Sequence, residues 1–321
     1  MRRILFAAIA AFVLSLLAGP FAVFDLRRRA NSGKIYESGP QSHLGKQGTP
    51  IMGGVIFLGG MLLMPLVFHI PGSGWRNTVP VLLSTLGFAA IGFADDWIKV
   101  HKHRAEGLTP MQKIVPQVAL ALVFGVWGYM IAGSKLILPF FNAEWDLGIF
   151  YIPVMAFIYV AVVNSANLLD GCDGLLAGCA MIDFACLAFV FAILGGYGDL
   201  VVIAACCAGA LLGFLFFNVY PAKIFMGDSG SFAIGGALAA AAMCSRLSLL
   251  LPLICLAMVV ASLSDMAQIV YCRYHQGRRL FLMTPLQHHF EESGMPETHV
   301  VNMYWAVTLI LCLLGVIGFV K

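Results

Sequence analysis

The chain alternates long apolar runs with short stretches of charged, glycine or proline residues. A helix needs about 20 mostly apolar residues to cross a bilayer, and runs of that length recur along the whole sequence. The pattern predicts ten spanning helices, at residues 4–24, 51–70, 78–94, 114–133, 148–166, 175–195, 199–217, 231–246, 248–270 and 301–320.

These runs predict an all-α fold, a polytopic helical bundle in a membrane. Only helices and closed barrels satisfy every backbone polar group in lipid, and the runs are too long for barrel strands, which alternate over about ten residues. The composition agrees, because 60% of the 321 residues are hydrophobic and 11% are charged. The first run lacks a clear cleavage site and is interpreted as a retained span. One domain, residues 1–321, is the simplest organisation.

Most of the 19 lysines and arginines follow the odd-numbered runs. Positively charged loops stay preferentially in the cytoplasm, so this bias predicts that these loops are cytoplasmic and that both termini lie outside. The net charge is only +3, and no basic face carries interleaved aromatic residues, so nothing indicates a nucleic-acid partner. Cytoplasmic positive charge suits anionic lipid heads or phosphate substrates.

Two adjacent acids, Asp95 and Asp96, stand at the end of the third run, with Lys99 one turn further along. Carboxylates are costly at the bilayer centre, so the pair is expected at the cytoplasmic interface. The plain interpretation is a solvated helix end whose acids pair with Lys99 and His101. The functional alternative is a general base, a metal ligand, or one of each.

The loops after the fifth and seventh runs carry further acids. Asp170 and Asp173 each precede a glycine, which is typical of turns and helix starts, but their loop has no lysine or arginine. Asp228 stands in "MGDSGS", where it could simply cap a helix. A helix start flanked by glycine and serine can also hold a phosphate, and Asp228 could bring Mg²⁺ to it.

The last polar loop, "TPLQHHFEESGMPE", contains His288, His289 and Glu291. It is either a solvated loop or a place where imidazoles bind a diphosphate or a sugar. No HExxH pattern occurs, and the nine cysteines lack metal-binding spacing, so zinc is not indicated and the cysteines are interpreted as packing residues. Together the loops suit Mg²⁺-assisted chemistry on a phosphate ester, with no serine, cysteine or threonine in a nucleophile arrangement.

Five stretches resemble the motifs of the phospho-N-acetylmuramoyl-pentapeptide transferase family, in order along nearly the whole chain. All five lie on the side that the charge bias places in the cytoplasm. They are "GKQGTPIMGG" (45–54), "FADDWIKV" (93–100), "NSANLLDGCDGLLAG" (164–178), "FNVYPAKIFMGDSGS" (217–231) and "PLQHHFEESGMPE" (285–297).

The resemblance implies a ten-span enzyme in the cytoplasmic membrane of a bacterium, with its active site on the cytoplasmic face. Such an enzyme transfers phospho-N-acetylmuramoyl-pentapeptide from a uridine diphosphate donor to undecaprenyl phosphate, giving lipid I and UMP, and requires Mg²⁺. A homodimer is compatible with it. Two rival interpretations are a sister enzyme that transfers N-acetylglucosamine-1-phosphate and a transporter or flippase, which would use Asp183 and Asp265.

The resemblance also implies roles for individual residues. The catalytic set is Asp95, Asp96, Asp228 and His288, with Asp95 as base, and the metal ligands are Asp228, Asp96 and Asp170. The substrate-binding positions are Thr49, Lys99, Lys113, Asn167, Asp170, Gly171, Asp173, Asn218, Phe225 (against uracil), Ser231, Gln268, Gln287 and His289.

Three positions depart from the family pattern. Gln287 stands where a histidine is usual; it can donate and accept hydrogen bonds but cannot carry positive charge. His288 is therefore expected to be the principal contact in this loop. Cys172 stands where leucine is usual and Leu169 where threonine is common, and both replacements are expected to be tolerated.

Overall fold

The computed structural model describes residues 2–28, 46, 48–70, 75–102, 107–141 and 143–320. Over these ranges the protein is almost entirely helical. The helices are α1 (Arg2–Arg28), α2 (Gly54–Val67), α3 (Thr78–His101), α4 (Pro110–Ala132), α5 (Tyr151–Leu169), α6 (Leu175–Leu194), α7 (Gly198–Asn218), α8 (Gly227–Cys244), α9 (Leu251–Ile254), α10 (Leu256–Tyr274), α11 (Leu286–Glu292) and α12 (Glu297–Ile317). The strands are β1 (Lys135–Leu138) and β2 (Ala143–Asp146), and short 3₁₀ turns cover Gly148–Phe150 and Ser248–Leu250.

Each of the ten predicted apolar runs contains a helix, which confirms the prediction of a polytopic membrane bundle. Eight of the described helices are long and apolar enough to cross a membrane. Helix α2 has only 14 residues. The run 248–270 is interrupted at Cys255, which separates α9 from α10. The total of ten spans and the side on which the termini lie stay predictions.

Helix α8 lies at the centre of the bundle, and all of its residues after Gly227 are buried. Its sequence consists mostly of alanine, glycine and serine, and such small residues let helix backbones approach closely. A Cβ atom on Gly92 of α3 would stand 2.1 Å from the carbonyl oxygen of Asp228, and one on Gly235 would stand 2.5 Å from the Cα of Val163 in α5. Helices α3, α5 and α8 therefore form one closely packed unit.

A two-stranded hairpin follows α4. Strand β1 pairs antiparallel with β2, and Lys135 lies opposite Asp146. Arg246, just after α8, ties the hairpin to the bundle: its Nε donates to the carbonyl oxygen of Lys135 at 3.0 Å, and Nη2 pairs with Oε1 of Glu144 at 2.7 Å. Since α4 runs between them, the hairpin and the Asp95–Asp228 region lie at opposite ends of the helices.

The close approach of α3 to α8 generates a stability prediction. We expect Gly92→Ala to lower the stability of the fold by about 1–3 kcal/mol, because the added methyl group meets backbone that cannot rotate away. The measurement is the apparent melting temperature of the purified protein in detergent.

Gly59→Ala in α2 is the matched control. Its Cβ would meet only the side chain of Leu14, at 3.7 Å, and replacing glycine by alanine inside a helix is otherwise stabilising. A Gly92→Ala protein that melts with or above the Gly59→Ala protein would contradict the packing described for α3 and α8.

Candidate functional site

The helices bring the predicted acids and lysines together at one end of the bundle. Asp95 and Asp96 lie in the last two turns of α3, Lys113 lies in the first turn of α4, Asn167 near the end of α5, and Asp228 at the start of α8. Helices that run in alternate directions present their C-terminal and N-terminal ends on the same side. Four segments therefore meet in one place, although Asp96 and Asp228 are 132 positions apart in the sequence.

Two lysines hold the carboxylates of Asp95 and Asp228. Lys99 Nζ lies 2.6 Å from Oδ2 of Asp95 and 3.3 Å from Oδ1 of Asp228. Lys113 Nζ lies 3.1 Å from Oδ1 of Asp95 and 2.8 Å from Oδ2 of Asp228. The N–H of Leu108 also donates to Oδ1 of Asp95 at 2.6 Å. Asp95 is fully buried, so these three donors take the place of water around its carboxylate.

Asp96 caps the start of α8. Its Oδ1 accepts the N–H of Asp228 at 3.0 Å, and its Oδ2 accepts the N–H of Ser229 at 2.9 Å. The first N–H groups of a helix have no partner within the helix, and a carboxylate also favours the positive end of the helix dipole. The plain interpretation of Asp228 as the cap of its own helix is therefore wrong, since the cap comes from Asp96 of α3 across the helix interface.

Asn167 connects α5 to the same cluster. Its Nδ2 donates to Oδ1 of Asp228 at 3.0 Å and lies 3.0 Å from the hydroxyl of Ser231, one turn further along α8. Each oxygen of the Asp228 carboxylate thus has a donor. Asp228 is held in position from α3, α4 and α5 at once.

A cavity of about 220 Å³ adjoins this cluster. It is lined by Lys46, Asp170, Gly171, Cys172, Asp173, Asn218, Phe225, Gly227 and Asp228. Burial raises the pKa of Asp170 well above its usual range, and the carboxylates of Asp228 and Asp96 raise it further. The cavity wall therefore combines carboxyl groups, glycine backbone and one aromatic ring.

The segment around Phe225 is held by the chain just before α2. The N–H of Phe225 donates to the carbonyl oxygen of Pro50 at 2.8 Å, and its own carbonyl accepts the N–H of Gly53 at 2.8 Å. Gly227 has a φ of +78°, a conformation that glycine adopts readily. The motif that contains Thr49 thus positions Phe225 at the cavity; Gly45 and Gln47 of that motif lie outside the described residues.

The loop 170–174 is fastened from two sides. Oδ1 of Asp173 accepts from Lys46 Nζ at 2.7 Å, and Oδ2 accepts the N–H of Ala222 at 2.9 Å. Glu297 Oε1 accepts from the same Lys46 and from the N–H of Asp173. Burial alone would lower the pKa of Lys46, but the hydrogen bonds to Asp173 and Glu297 outweigh that effect and raise it.

Helix α11 covers the other side of this loop. Gln287 is buried, and its Nε2 donates to the carbonyl oxygen of Leu168 at 2.8 Å. His288 Nδ1 lies 2.7 Å from Oε2 of Glu291, and a Cβ atom on Gly171 would stand 2.6 Å from the other ring nitrogen of His288. The lack of a side chain at Gly171 lets the histidine ring approach the loop.

Comparisons with known proteins match this chain to one family of enzymes. The model of glycosyl transferase family 4 matches residues 78–246, which include the acids of α3 and α8 and those of the loop between α5 and α6. Relatives named phospho-N-acetylmuramoyl-pentapeptide-transferase cover nearly the whole chain. One from Thermoanaerobacter sp. (strain X514) is 42% identical over 98% of both chains. One from Desulfitobacterium hafniense is 41% identical over 99% of this chain and 98% of its own, and one from Clostridioides difficile is 38% identical over 98% and 97%.

The chain belongs to the phospho-N-acetylmuramoyl-pentapeptide transferase family. The resemblance predicted from the five motifs is thereby confirmed, and this protein is a transferase with several membrane-spanning helices. The geometry divides the predicted site residues into three groups, with Thr49 apart from them in the segment before α2.

In this transferase, one group of predicted residues gathers at the carboxylate cluster or the cavity. Asp95, Asp96 and Asp228 offer oxygen atoms that all lie within 4.8 Å of one another, a donor set that could hold a metal ion. Asp170, predicted as a ligand, is not part of that group and lines the cavity instead. The predicted residues that gather here are Asp95, Asp96, Lys99, Lys113, Asn167, Asp170, Gly171, Phe225, Asp228 and Ser231.

A second group holds the loops together. Asp173 is occupied by Lys46 and Ala222, and Asn218 bridges the N–H of Gly174 (3.2 Å) and the carbonyl oxygen of Ile224 (3.0 Å). Both residues border the cavity, but their polar atoms bind the protein's own backbone and side chains. The transferase site also uses Lys46 and Glu297, which the sequence analysis did not single out.

A third group lies around α10 and α11. Gln268 accepts the N–H groups of Leu280 and Phe281 at 2.9 Å each, and His289 Nδ1 accepts the N–H of Leu282 at 3.2 Å. These two side chains shape the segment before α11 and do not line the cavity. Of the two histidines, His288 is the one that faces the 170–174 loop; its role as the principal contact with a substrate stays a prediction.

The two acids that a transporter would use lie apart from the cluster. Asp183 is buried in α6, where Sγ of Cys312 lies 3.6 Å from its Oδ1. Asp265 in α10 accepts from the hydroxyl of Thr284 at 2.9 Å. Each is bonded locally and neither faces the cavity, so the described residues provide no chain of acids through the bundle.

The capping role of Asp96 generates a second prediction. We expect Asp96→Asn to lower the stability of the transferase by about 1–3 kcal/mol, because one amide oxygen cannot accept both N–H groups and the amide NH₂ would face a backbone donor. Thermal melting without substrate or Mg²⁺ measures this effect independently of activity.

Asp265→Asn provides the control, since a single hydroxyl donor can still be satisfied by an amide oxygen. We expect it to melt close to the unmodified protein. If Asp96→Asn melted at or above the unmodified protein, relief of repulsion among the acids would outweigh capping, and the structural role of Asp96 would be wrong.

Proposed function

We propose that this protein transfers phospho-N-acetylmuramoyl-pentapeptide from its UDP-linked donor to undecaprenyl phosphate, giving lipid I and UMP. The observation that carries the proposal is the placement of a buried three-carboxylate, two-lysine cluster directly beside a cavity at one end of a membrane bundle. Family membership and the names of the relatives support the choice of substrates. The concentration of lysine and arginine in the same loops supports a cytoplasmic site in a bacterial membrane.

The donor is proposed to enter the cavity through its nucleotide and diphosphate. Phe225 offers a ring for the uracil, and the glycines at positions 171 and 227 leave backbone accessible to phosphate oxygens. Lys99 and Lys113 each contact Asp228, which lines the cavity. The ammonium groups of these two lysines can offset the negative charge that accumulates when a diphosphate and a lipid phosphate meet.

The carboxylates fit Mg²⁺ by their chemistry. Hard oxygen ligands are what this ion prefers, and Asp228 with Asp96 or Asp95 would hold it. When bound, the ion supplies charge neutralisation at the diphosphate. Because Asp96 already accepts two backbone N–H groups, we assign Asp228 the principal role, with Asp96 fixing the position of its backbone.

Asp95 is proposed to position the two lysines. Its carboxylate has two ammonium groups and one backbone N–H around it, so its oxygen atoms already hold the lysines in place. A phosphate monoester loses its second proton with a pKa of about 6, so the lipid phosphate is mostly ionised at neutral pH. The base role implied by the resemblance is therefore not needed for attack by the phosphate oxygen.

The lipid tail is proposed to lie along the outside of α5 and α10. An apolar groove of about 260 Å³ runs there, lined by residues that include Phe157, Val162, Met258 and Met266. Asn167 of the carboxylate cluster lies on α5, just beyond the groove residue Ser165. A tail in this groove would place its phosphate near the cluster while the chain stays in contact with lipid.

The proposed reaction is tested by UMP release. We expect UMP from UDP-N-acetylmuramoyl-pentapeptide with undecaprenyl phosphate and Mg²⁺, and none when UDP-N-acetylglucosamine replaces the donor. We expect Asp228→Asn to reduce the rate at least about a hundredfold, as is typical when a group that stabilises transition-state charge is lost.

Glu144→Gln on the exposed hairpin is the matched acid-to-amide control and should retain full activity. UMP release from the N-acetylglucosamine donor alone would support the sister enzyme instead. Transport of intact donor without UMP would remove the enzymatic proposal, and near-full Mg²⁺-dependent turnover by Asp228→Asn would remove the metal assignment.

The departure at Gln287 gives a further prediction. We expect Gln287→His to leave activity similar or higher, because a ring N–H can donate to the carbonyl oxygen of Leu168 as the amide does now. Gln287→Leu removes that donor, and the unpaired carbonyl should cost stability. A severe loss of activity in a stably folded Gln287→His protein would contradict the interpretation of Gln287 as a neutral substitute.

A further inference from the structure

A second group of potential ligands lies on the far side of the 170–174 loop. Cys172, His288 and Glu291 each place a donor atom within 4.8 Å of the other two. Sγ of Cys172 lies 3.4 Å from Oε2 of Glu291, and Nδ1 of His288 lies 2.7 Å from the same oxygen. Cys172 and His288 are buried and Glu291 is half-buried. The three residues come from segments 119 positions apart, so their spacing in the sequence gave no sign of a site.

We propose that Cys172, His288 and Glu291 form a binding site for a thiophilic divalent cation of the Zn²⁺ class. Thiolate, imidazole and carboxylate are the three ligand types that zinc uses in proteins. The set differs from the Asp95–Asp96–Asp228 cluster, which offers oxygen atoms alone and suits Mg²⁺. The transferase would therefore carry two cation sites of different chemical preference around one loop.

The distances are close to those that a tetrahedral ion requires. With Zn–S of about 2.3 Å and Zn–N or Zn–O of about 2.0–2.1 Å, neighbouring donor atoms stand about 3.3–3.6 Å apart. The Sγ–Oε2 distance of 3.4 Å already fits. The Nδ1–Oε2 distance of 2.7 Å must open by about 0.6 Å, a shift within the range of side-chain rotation. On binding, the thiol proton leaves to solvent and the fourth position stays open to water or a phosphate oxygen.

Occupation of this site would affect the cavity. Cys172 belongs to the cavity wall, and the ring of His288 contacts the backbone of Gly171. A cation held by these three residues would take His288 away from a substrate and alter the loop. The expected consequence is inhibition by micromolar or lower zinc in the presence of Mg²⁺, which does not compete for thiolate and imidazole ligands.

Binding is tested without any substrate, on the full-length protein purified in detergent. Co²⁺ is the probe, because its thiolate complexes absorb in the near ultraviolet. We expect one Co²⁺ per chain with a thiolate charge-transfer band, displaced by Zn²⁺. Cys172→Leu, the residue usual in the family, and Cys172→Ser should both lose the band, and Glu291→Gln should weaken Co²⁺ binding at least tenfold.

Cys272→Ser is the matched control, since Cys272 is the only one of the nine cysteines that is not buried. It should keep the band and the affinity. Absence of the band in the unmodified protein, its persistence in Cys172→Leu, or its loss in Cys272→Ser would each overturn the proposal.

The inhibition experiment rests on the proposed function, and it is measured separately from Co²⁺ binding. Zinc should inhibit UMP release by the unmodified protein, and Cys172→Leu should require at least ten times more zinc for the same inhibition. Equal zinc sensitivity of the two proteins would overturn the inhibitory role. A protein that binds Co²⁺ through Cys172 but releases no UMP would contradict the proposed reaction and leave the cation site supported.

Discussion

The site depends first on the two hydrogen bonds that the Asp96 carboxylate accepts from the start of α8. They fix the end of α3 against the end of α8, and the backbone contact at Gly92 requires the same approach. Because Asp96 binds the backbone N–H groups of Asp228 and Ser229, it also fixes the position of Asp228. A helix start buried among other helices needs an acceptor for its N–H groups, and here that acceptor also brings the acids together.

Concentrating three carboxylates in a buried place is unfavourable unless cations accompany them. Lys99 and Lys113 supply that charge, and each bridges Asp95 and Asp228. Under the proposed function, the same lysines would turn toward a phosphate once a cation took their place at the carboxylates. The charges that stabilise the carboxylates in the fold would then also serve a negatively charged substrate.

The helices and the acids of the site could be predicted from the sequence, whereas contacts between residues far apart in the chain could not. Apolar run lengths predicted the helices, since crossing a bilayer sets a minimum length that any sequence must display. The acids at Asp95 and Asp228 were recognisable because charge beside an apolar run is costly. Lys46 and Glu297 were missed because nothing in the sequence near them differs from that of ordinary charged surface residues. Their contacts with Asp173 are visible only in the folded structure. Asp173 looked like a ligand for substrate because its partners are 127 and 124 positions away.

The 170–174 loop lies between the carboxylate cluster and α11, and different residues of the loop contact each of them. Asp170 faces the carboxylate cluster, Asp173 fastens the loop, and Cys172 between them contacts α11. Because these residues are adjacent in the chain, a shift of one must move the others. Movement of α11 would therefore reach the carboxylate cluster through the backbone of a few residues. This coupling is a consequence of loop length, since a five-residue connection between α5 and α6 has little freedom to absorb displacement.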